Sequence, residues 1–112
     1  MEKLLFKQTE AKTVTFTCLV DGAVVDLSTA TFSFMVKQYK TDLDAAAKIT
    51  KVNADFGITS AATGILYLPL SSSDLNLTPG DYIGELKITF SPVNIDKSED
   101  IPIVIEQPIS IA

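Results

Sequence analysis

Hydrophobic and polar residues alternate with a period of two along most of this chain. The stretch 13–20 places threonines on one face and apolar side chains on the other, the apolar face being Val14, Phe16, Cys18 and Val20. Alternation of β-branched and aromatic residues with polar ones is typical of a strand that buries one side. Since no long stretch carries the 3.6-residue period of an amphipathic helix, the pattern predicts an all-β protein.

Seven further stretches show a strand pattern: 23–27, 31–38, 48–52, 56–59, 64–70, 82–90 and 101–105. Their predicted inward residues include Phe32, Phe34, Val36, Leu66, Leu68, Leu70, Tyr82, Leu86, Ile88, Phe90, Ile101, Ile103 and Ile105. The polar stretches 39–47 and 91–100 are predicted to be loops. Seven to eight short strands, spaced about 8 to 12 residues apart, predict an antiparallel β-sandwich. No linker or repeat divides residues 1–112, so we expect a single domain.

Turn signals separate these strands. Asp21-Gly22 lies between two apolar runs and predicts a two-residue hairpin, because both central positions need a positive φ. Pro79-Gly80 suits the centre of a type II turn, where proline presets φ and glycine accepts a positive φ. The segment 71–74 has the spacing of a capping box and predicts a single turn of helix.

The amino-acid composition limits the kinds of partner that the chain can bind. The 112 residues are 46% hydrophobic and 21% charged, as in a folded globular domain, and the net charge is −5. There is no His, and all nine basic residues are Lys. An acidic chain without Arg disfavours nucleic acids and anionic membranes as partners. The N-terminus lacks the apolar core of a signal peptide, and no segment approaches 18 consecutive apolar residues, so we expect neither export nor a membrane span.

Two acidic segments are the candidates for a metal site, because Ca²⁺ takes carboxylate oxygens as ligands. Their carboxylates are those of Asp42, Asp44 and Asp55 in the first and Asp96, Glu99 and Asp100 in the second. Neither segment has the glycine and the distal glutamate of a calcium-binding loop. We therefore expect solvated loops, with no bound metal and no cofactor.

Nucleophilic side chains are few. Cys18 alternates in phase with Phe16, which predicts a packing role in the core. The serines 71–73 lack a histidine base, because the chain has none, and a Ser–Lys dyad is the remaining catalytic alternative. Its candidate lysines are Lys48, Lys51 and Lys87. They fall on polar strand faces, where a solvated charge is the ordinary state, so we expect a protein without enzymatic activity.

A resemblance to known proteins begins with residues 75–82, Leu-Asn-Leu-Thr-Pro-Gly-Asp-Tyr, which open a strand. They look like the tyrosine corner of immunoglobulin-like folds, in which a tyrosine hydroxyl bonds to the backbone upstream of its own strand. The chain lacks the Cys and Trp pattern of antibody domains. The corner residues here are Pro79, Gly80 and Tyr82.

A second pattern covers roughly residues 10–90. In order, it consists of Val-Asp-Gly-Ala-Val-Val-Asp-Leu at 20–27, Phe-x-Phe-x-Val at 32–36, Ala-Thr-Gly at 62–64, Leu-x-Leu-x-Leu at 66–70, Pro-Gly-Asp-Tyr at 79–82 and Glu-Leu at 85–86. In that order these motifs resemble the N-terminal domain of the baseplate upper proteins of tailed phages.

The resemblance implies an immunoglobulin-like β-sandwich that is a structural module of a phage or prophage particle. It implies a virion location, synthesis in the cytoplasm of the bacterial host, and partners that are other phage structural proteins or a second copy. Members of that family typically continue into oligomerising and receptor-facing parts, whereas this chain ends after one domain. The implied role is therefore assembly.

Apolar residues also occur on the outward side of the predicted strands. The candidate interface residues are Leu19, Met35, Ile83 and Val104, with Ile109 and Ile111 in the C-terminal tail. In an immunoglobulin-like strand order, the strands carrying Met35, Ile83 and Val104 are neighbours, and an apolar outer patch commonly marks an interface. Scattered apolar surface residues are the alternative interpretation. The tail is predicted either to pair with an open edge of a neighbouring subunit or to fold back on its own sheet.

The alternative function is a ligand-binding sandwich of the carbohydrate-binding or adhesin type. Such modules usually present exposed aromatic rings, and the candidates here are Tyr39, Phe56 and Tyr67. The lack of Trp counts against this alternative.

Overall fold

Eleven strand segments and two single turns of 3₁₀ helix form the regular structure in a computed structural model that describes residues 3–20, 23–24, 26–97 and 100–108. The strands are β1 (Leu4–Lys7), β2 (Lys12–Thr17), β3 (Leu19–Val20), β4 (Ala23–Val24), β5 (Thr31–Lys37), β6 (Ile49–Lys51), β7 (Gly57–Ser60), β8 (Ile65–Leu70), β9 (Gly80–Ser91), β10 (Asn94–Lys97) and β11 (Ile101–Glu106). The 3₁₀ turns are Asp44–Ala46 and Asn53–Asp55. The all-β prediction is confirmed, although the segments are more numerous than the seven to eight expected.

The strands form two main sheets. The large sheet has the order β1-β11-β9-β5-β6, with β10 beside the C-terminal half of β9. The small sheet has the order β2-β8-β7, and β3 pairs with β4 as a separate hairpin. The strand pairs are antiparallel except that of β1 with β11, which is parallel. The fold is therefore a mostly antiparallel, sandwich-like arrangement.

One cluster of buried apolar side chains draws on both sheets. Phe16 of the small sheet and Phe34 of the large sheet meet there, with ring centroids 5.7 Å apart. The predicted inward residues of β5, β8 and β11 are all buried, which confirms the period-two interpretation of those strands. Among the described residues no polar or charged side chain is buried. Burial of apolar surface, rather than a polar network, therefore stabilises the pairing of the two sheets.

Strand β1 was not predicted. It has four residues, of which only Phe6 is fully buried, and Leu5 on its other face is exposed. Two adjacent leucines hide the period of two, so the stretch shows no alternation. Its place beside β11 depends on a parallel pairing between distant parts of the chain, Leu4 with Ile103 and Phe6 with Ile105.

The prediction of a polar loop over 91–100 is wrong. Residues 94–97 form β10, which returns from a tight turn and pairs antiparallel with the second half of β9. Ile95, Asp96 and Lys97 are all exposed. Because neither face of β10 is buried, the segment has no hydrophobic alternation that would mark it as a strand.

The predicted turns have mixed outcomes. Ser71 and Asp74 exchange the two hydrogen bonds of a capping box, with the Ser71 N–H 2.8 Å from Asp74 Oδ2, but residues 72–75 form a turn and not a helix. Pro79 is a bend and Gly80 begins β9 with a φ of 154°, so the type II turn, which needs about +80°, is not formed. Asp21 and Gly22 lie outside the described residues, although β3 and β4 on either side of them pair antiparallel.

Candidate interaction face

The register of the large sheet brings three predicted interface residues together. Met35, Ile83 and Val104 lie on β5, β9 and β11, which are neighbours, and all three are half-buried. Met35 is paired with Glu85, and Val104 is paired with Asp81. Ile83 is therefore diagonal to both Met35 and Val104 on the outer face, within reach of long side chains.

Two residues that the sequence interpretation missed extend this set. Leu5 is paired with Val104 and is 48% exposed, and Pro102 is paired with Ile83 and is also exposed. We call the resulting group the outer stripe, and its members are Leu5, Val104, Pro102, Ile83 and Met35. It runs diagonally over four neighbouring strands, from the edge strand β1 to the interior strand β5.

A shallow cleft of about 90 Å³ lies at the β5 end of the outer stripe. Its lining residues are Met35, Lys37, Lys40, Ile83, Glu85 and Asp100. Lys40 Nζ lies 2.7 Å from Asp100 Oδ2. Lys40 follows β5 and Asp100 precedes β11, and β9 lies between these two strands. The Lys40 side chain must therefore cross β9 to reach Asp100. It borders the apolar part of the cleft.

Lys37 holds the loop that follows β5. Its Nζ donates to the carbonyl of Asp42 at 2.8 Å and to Asp44 Oδ1 at 2.7 Å. The hydrogen bond from Lys37 keeps the pKa of the Asp44 carboxyl below its ordinary value, and the hydrogen bond to Asp100 raises the pKa of Lys40. Lys37 and Lys40 at this border of the outer stripe are therefore each paired with a carboxylate.

The carboxylates proposed as metal ligands have other partners. Asp42 Oδ2 accepts from the Tyr39 N–H at 3.1 Å, and Asp55 Oδ2 accepts from the Val52 N–H at 2.9 Å. Asp44 is paired with Lys37. Across the described part of the chain, no three metal-ligating side chains are grouped. Glu99 of the second acidic segment lies outside that part.

The serine segment 71–73 adjoins an ion pair. Lys51 Nζ lies 2.9 Å from Asp74 Oδ2, and each side chain is about one-fifth exposed. Burial opposes ionisation of Asp74, but hydrogen bonds from Lys51 and Ser71 outweigh it and lower the pKa of its carboxyl. The pair links β6 of the large sheet to the turn that follows β8 of the small sheet. Lys51, a candidate base, is thus engaged in an ion pair with Asp74.

The remaining candidate residues are dispersed. Leu19 lies in the β3–β4 hairpin, away from the strands of the outer stripe. Cys18 is half-buried against the core, and burial raises the pKa of its thiol. Ile109 and Ile111 lie outside the described residues, so the predictions for the tail remain predictions.

The three aromatic candidates for a ligand platform occupy separate places. Tyr39 is 63% exposed on the loop after β5, whereas Tyr67 is 39% exposed on the outer face of the small sheet. Phe56 is half-buried and packs on Phe32, with ring centroids 5.7 Å apart. One exposed ring lies on a loop after the large sheet and the other on the small sheet, which does not suit a shared platform.

No protein-family model and no curated protein matches the chain. In the residues that the structure describes, no helix has the length and apolar character needed to cross a membrane.

Proposed function

We propose that this protein is a non-enzymatic structural module of a phage or prophage particle, of the baseplate or tail type, and that it acts through protein–protein contacts during assembly. The outer stripe is the observation that carries the assembly role. The phage context rests on the resemblance of the sequence motifs between residues 10 and 90. Its partners are other phage structural proteins or a second copy, in the virion.

The strand order supports an immunoglobulin-like topology. In that topology strands B, E and D share one sheet and strands G, F, C and C′ share the other. The small sheet, β2-β8-β7, corresponds to B-E-D, and β11-β9-β5-β6 corresponds to G-F-C-C′. The correspondence preserves the order along the chain as well as the neighbours in each sheet.

The corner before β9 supports the same topology. The Tyr82 hydroxyl donates to the carbonyl of Thr78, four residues upstream, at 2.5 Å. Two residues after Tyr82, where antibody domains carry a cysteine, this chain has Gly84. A Cβ at Gly84 would lie 2.8 Å from Ile103 Cδ1 and 3.1 Å from Phe34 Cζ. Aromatic and aliphatic packing thus fills the position of the disulfide.

The outer stripe has the chemistry of an interface core. Protein interfaces have an apolar centre that is depleted of charge and a polar rim. The members of the stripe are apolar, and the ion pairs Lys40–Asp100 and Lys37–Asp44 lie at its border. Two carboxylates, those of Glu85 and Asp81, also lie on this face, as the cross-strand neighbours of Met35 and Val104.

Replacing Met35 and Ile83 together with Lys tests this proposal. Two charges in an apolar contact should weaken association by roughly tenfold or more, measured as solution mass over a concentration series. The fold should persist, because both side chains are only half-buried and a lysine can extend to water. The matched control replaces Val52 and Ile58 with Lys in the same way, because these are exposed apolar residues away from the stripe. Unchanged association in the first variant, or equal loss in the control, would refute the role of the outer stripe.

A further inference from the structure

Strand β2 has an open edge in the small sheet. On one side it pairs with β8, and directly after the strand the Cys18 N–H donates to the Gly64 carbonyl at 2.8 Å. In an antiparallel pair, alternate residues direct their N–H and C=O groups to opposite edges of the strand. Because Cys18 bonds to Gly64, the even-numbered residues of β2 direct their backbone groups to β8. Thr13, Thr15 and Thr17 therefore direct their backbone groups to the other edge, where no residue of the described ranges pairs with them.

The other sheet edges carry features that discourage pairing. β6 has only three residues, and β7 and β10 each contain an irregularity in register. β1 has four residues and ends at Lys7. Short strands, bulges and lysines are the usual means by which sheets avoid joining at their edges. β2 has six residues with regular register and no proline, and its only charge is on its first residue, Lys12.

The outer face of the small sheet beside this edge carries no charge. Its side chains are those of Thr13, Thr15, Thr17, Ile65, Tyr67, Pro69 and Ser60, with Gly57 beneath the Tyr67 ring. Interface cores are depleted of charged residues and enriched in tyrosine. An uncharged face offers no repulsion to an identical face in the same plane, which suits a second copy as the partner.

We propose that a second copy of this chain pairs with β2 along this edge, antiparallel and about a two-fold axis at Thr15. Thr15 then lies opposite Thr15 of the second copy, and Thr13 lies opposite Thr17. In this register each threonine pair brings together backbone groups that both point to the open edge, so each of these pairs exchanges two hydrogen bonds. The result is a continuous sheet with the order β7-β8-β2-β2-β8-β7.

The side chains that this register places opposite one another are also compatible. Threonines face threonines on the outer surface, which is a favourable cross-strand pairing. On the inner surface Val14 lies opposite Phe16, and Lys12 lies opposite Cys18 of the second copy, so like charges do not meet. An interface of this kind is isologous and closes after two copies.

This inference uses the edge of the small sheet, whereas the proposed function uses the outer stripe of the large sheet. The two can therefore fail separately. Loss of association in the Met35 and Ile83 variant leaves the β2 edge intact, and a change at Thr15 leaves the outer stripe intact.

Amide hydrogen exchange of the whole chain, measured at low and high concentration together with solution mass, tests the edge pairing. The amides of Val14 and Phe16 bond to β8 and should be protected at every concentration. The amides of Thr13, Thr15 and Thr17 should become protected only as the mass doubles. A doubled mass with fast exchange at the threonines, a single-chain mass throughout, or threonine protection independent of concentration would each overturn the inference.

Charge substitutions at the proposed axis give a second test. Thr15→Lys and Thr15→Glu each place like charges opposite one another, so each variant alone should show half the mass of the wild-type pair. Mixing the two variants should restore the doubled mass, because opposite charges then meet. Thr59→Lys is the matched control, since Thr59 is an exposed threonine on β7, at the far edge of the same sheet. Failure of the mixture to re-associate, or an equal effect of the control, would overturn the inference.

Discussion

Removal of the Tyr82 hydroxyl tests the corner that joins the two sheets. In Tyr82→Phe the ring, which is 5% exposed, keeps its packing, and only the 2.5 Å bond to the Thr78 carbonyl is lost. Thr78 is an exposed residue, so water can replace the hydroxyl at its carbonyl. The cost is then the net value of one hydrogen bond, about 1 kcal/mol, and not the larger penalty of a buried unpaired group. For a domain of this size that corresponds to a fall in Tm of roughly 4 °C.

Urea unfolding at neutral pH measures this change directly. Tyr39→Phe is the matched control, because Tyr39 is 63% exposed and its N–H and carbonyl both form hydrogen bonds with Asp42 through the backbone of Tyr39. A surface change of that kind stays within about 0.5 kcal/mol. If Tyr82→Phe costs no more than Tyr39→Phe, the hydroxyl does not stabilise the corner and the reasoning is refuted.

The same pair of proteins has a predictable alkaline behaviour. Burial raises the pKa of Tyr82 in the folded state above its ordinary value near 10. The resulting stability is present below pH 10 and is lost as the pH rises through the raised pKa. Tyr82→Phe lacks this contribution, so the stability difference between wild type and variant should shrink above pH 10. A difference that stays constant would contradict the assignment.

Two further changes test packing and charge. Gly84→Ala places a methyl group 2.8 Å from Ile103 Cδ1 in the core and should lower the free energy of unfolding, measured in urea, by about 1–3 kcal/mol. Gly57→Ala should lower it by less, because the Tyr67 ring above Gly57 is partly exposed and can move. Equal costs would contradict this. Asp74→Asn removes the partner of Lys51; because the folded-state pKa of Asp74 is lowered, its stabilising effect should be present above about pH 4 and disappear as the pH falls through the lowered value. If the stability lost in Asp74→Asn stays the same at acidic pH, the stabilising role of the Asp74 carboxylate is refuted.

The sequence was most informative where one strand face is buried. Leu66, Leu68 and Leu70 of β8 alternate with exposed residues, and all three are buried as predicted. Alternation reports burial of one face, so it identifies strands that contribute to the core. It fails for β10, where Ile95, Asp96 and Lys97 are exposed, and for β1, where Leu4 and Leu5 are adjacent.

The candidate face was only partly predictable for a related reason. Met35, Ile83 and Val104 could be assigned to an outward side from the phase of their own strands. Their adjacency depends on the register between strands, which single-strand patterns do not contain. Leu5 and Pro102 were missed because one lies on the unpredicted strand β1 and the other is a proline inside β11. Which residues of β2 face its open edge depends on the strand order and on which alternate residues bond to β8, and no residue pattern reveals either.

Solution mass over a concentration series, by light scattering on the intact chain, tests the central claim that this protein acts by association. We expect a mass that rises above that of one chain with concentration, and that falls in the Met35 and Ile83 double variant and in Thr15→Lys. A single-chain mass at every concentration for the wild-type protein would contradict the β2 edge pairing and self-association through the outer stripe, so that only other proteins would remain as partners of the stripe.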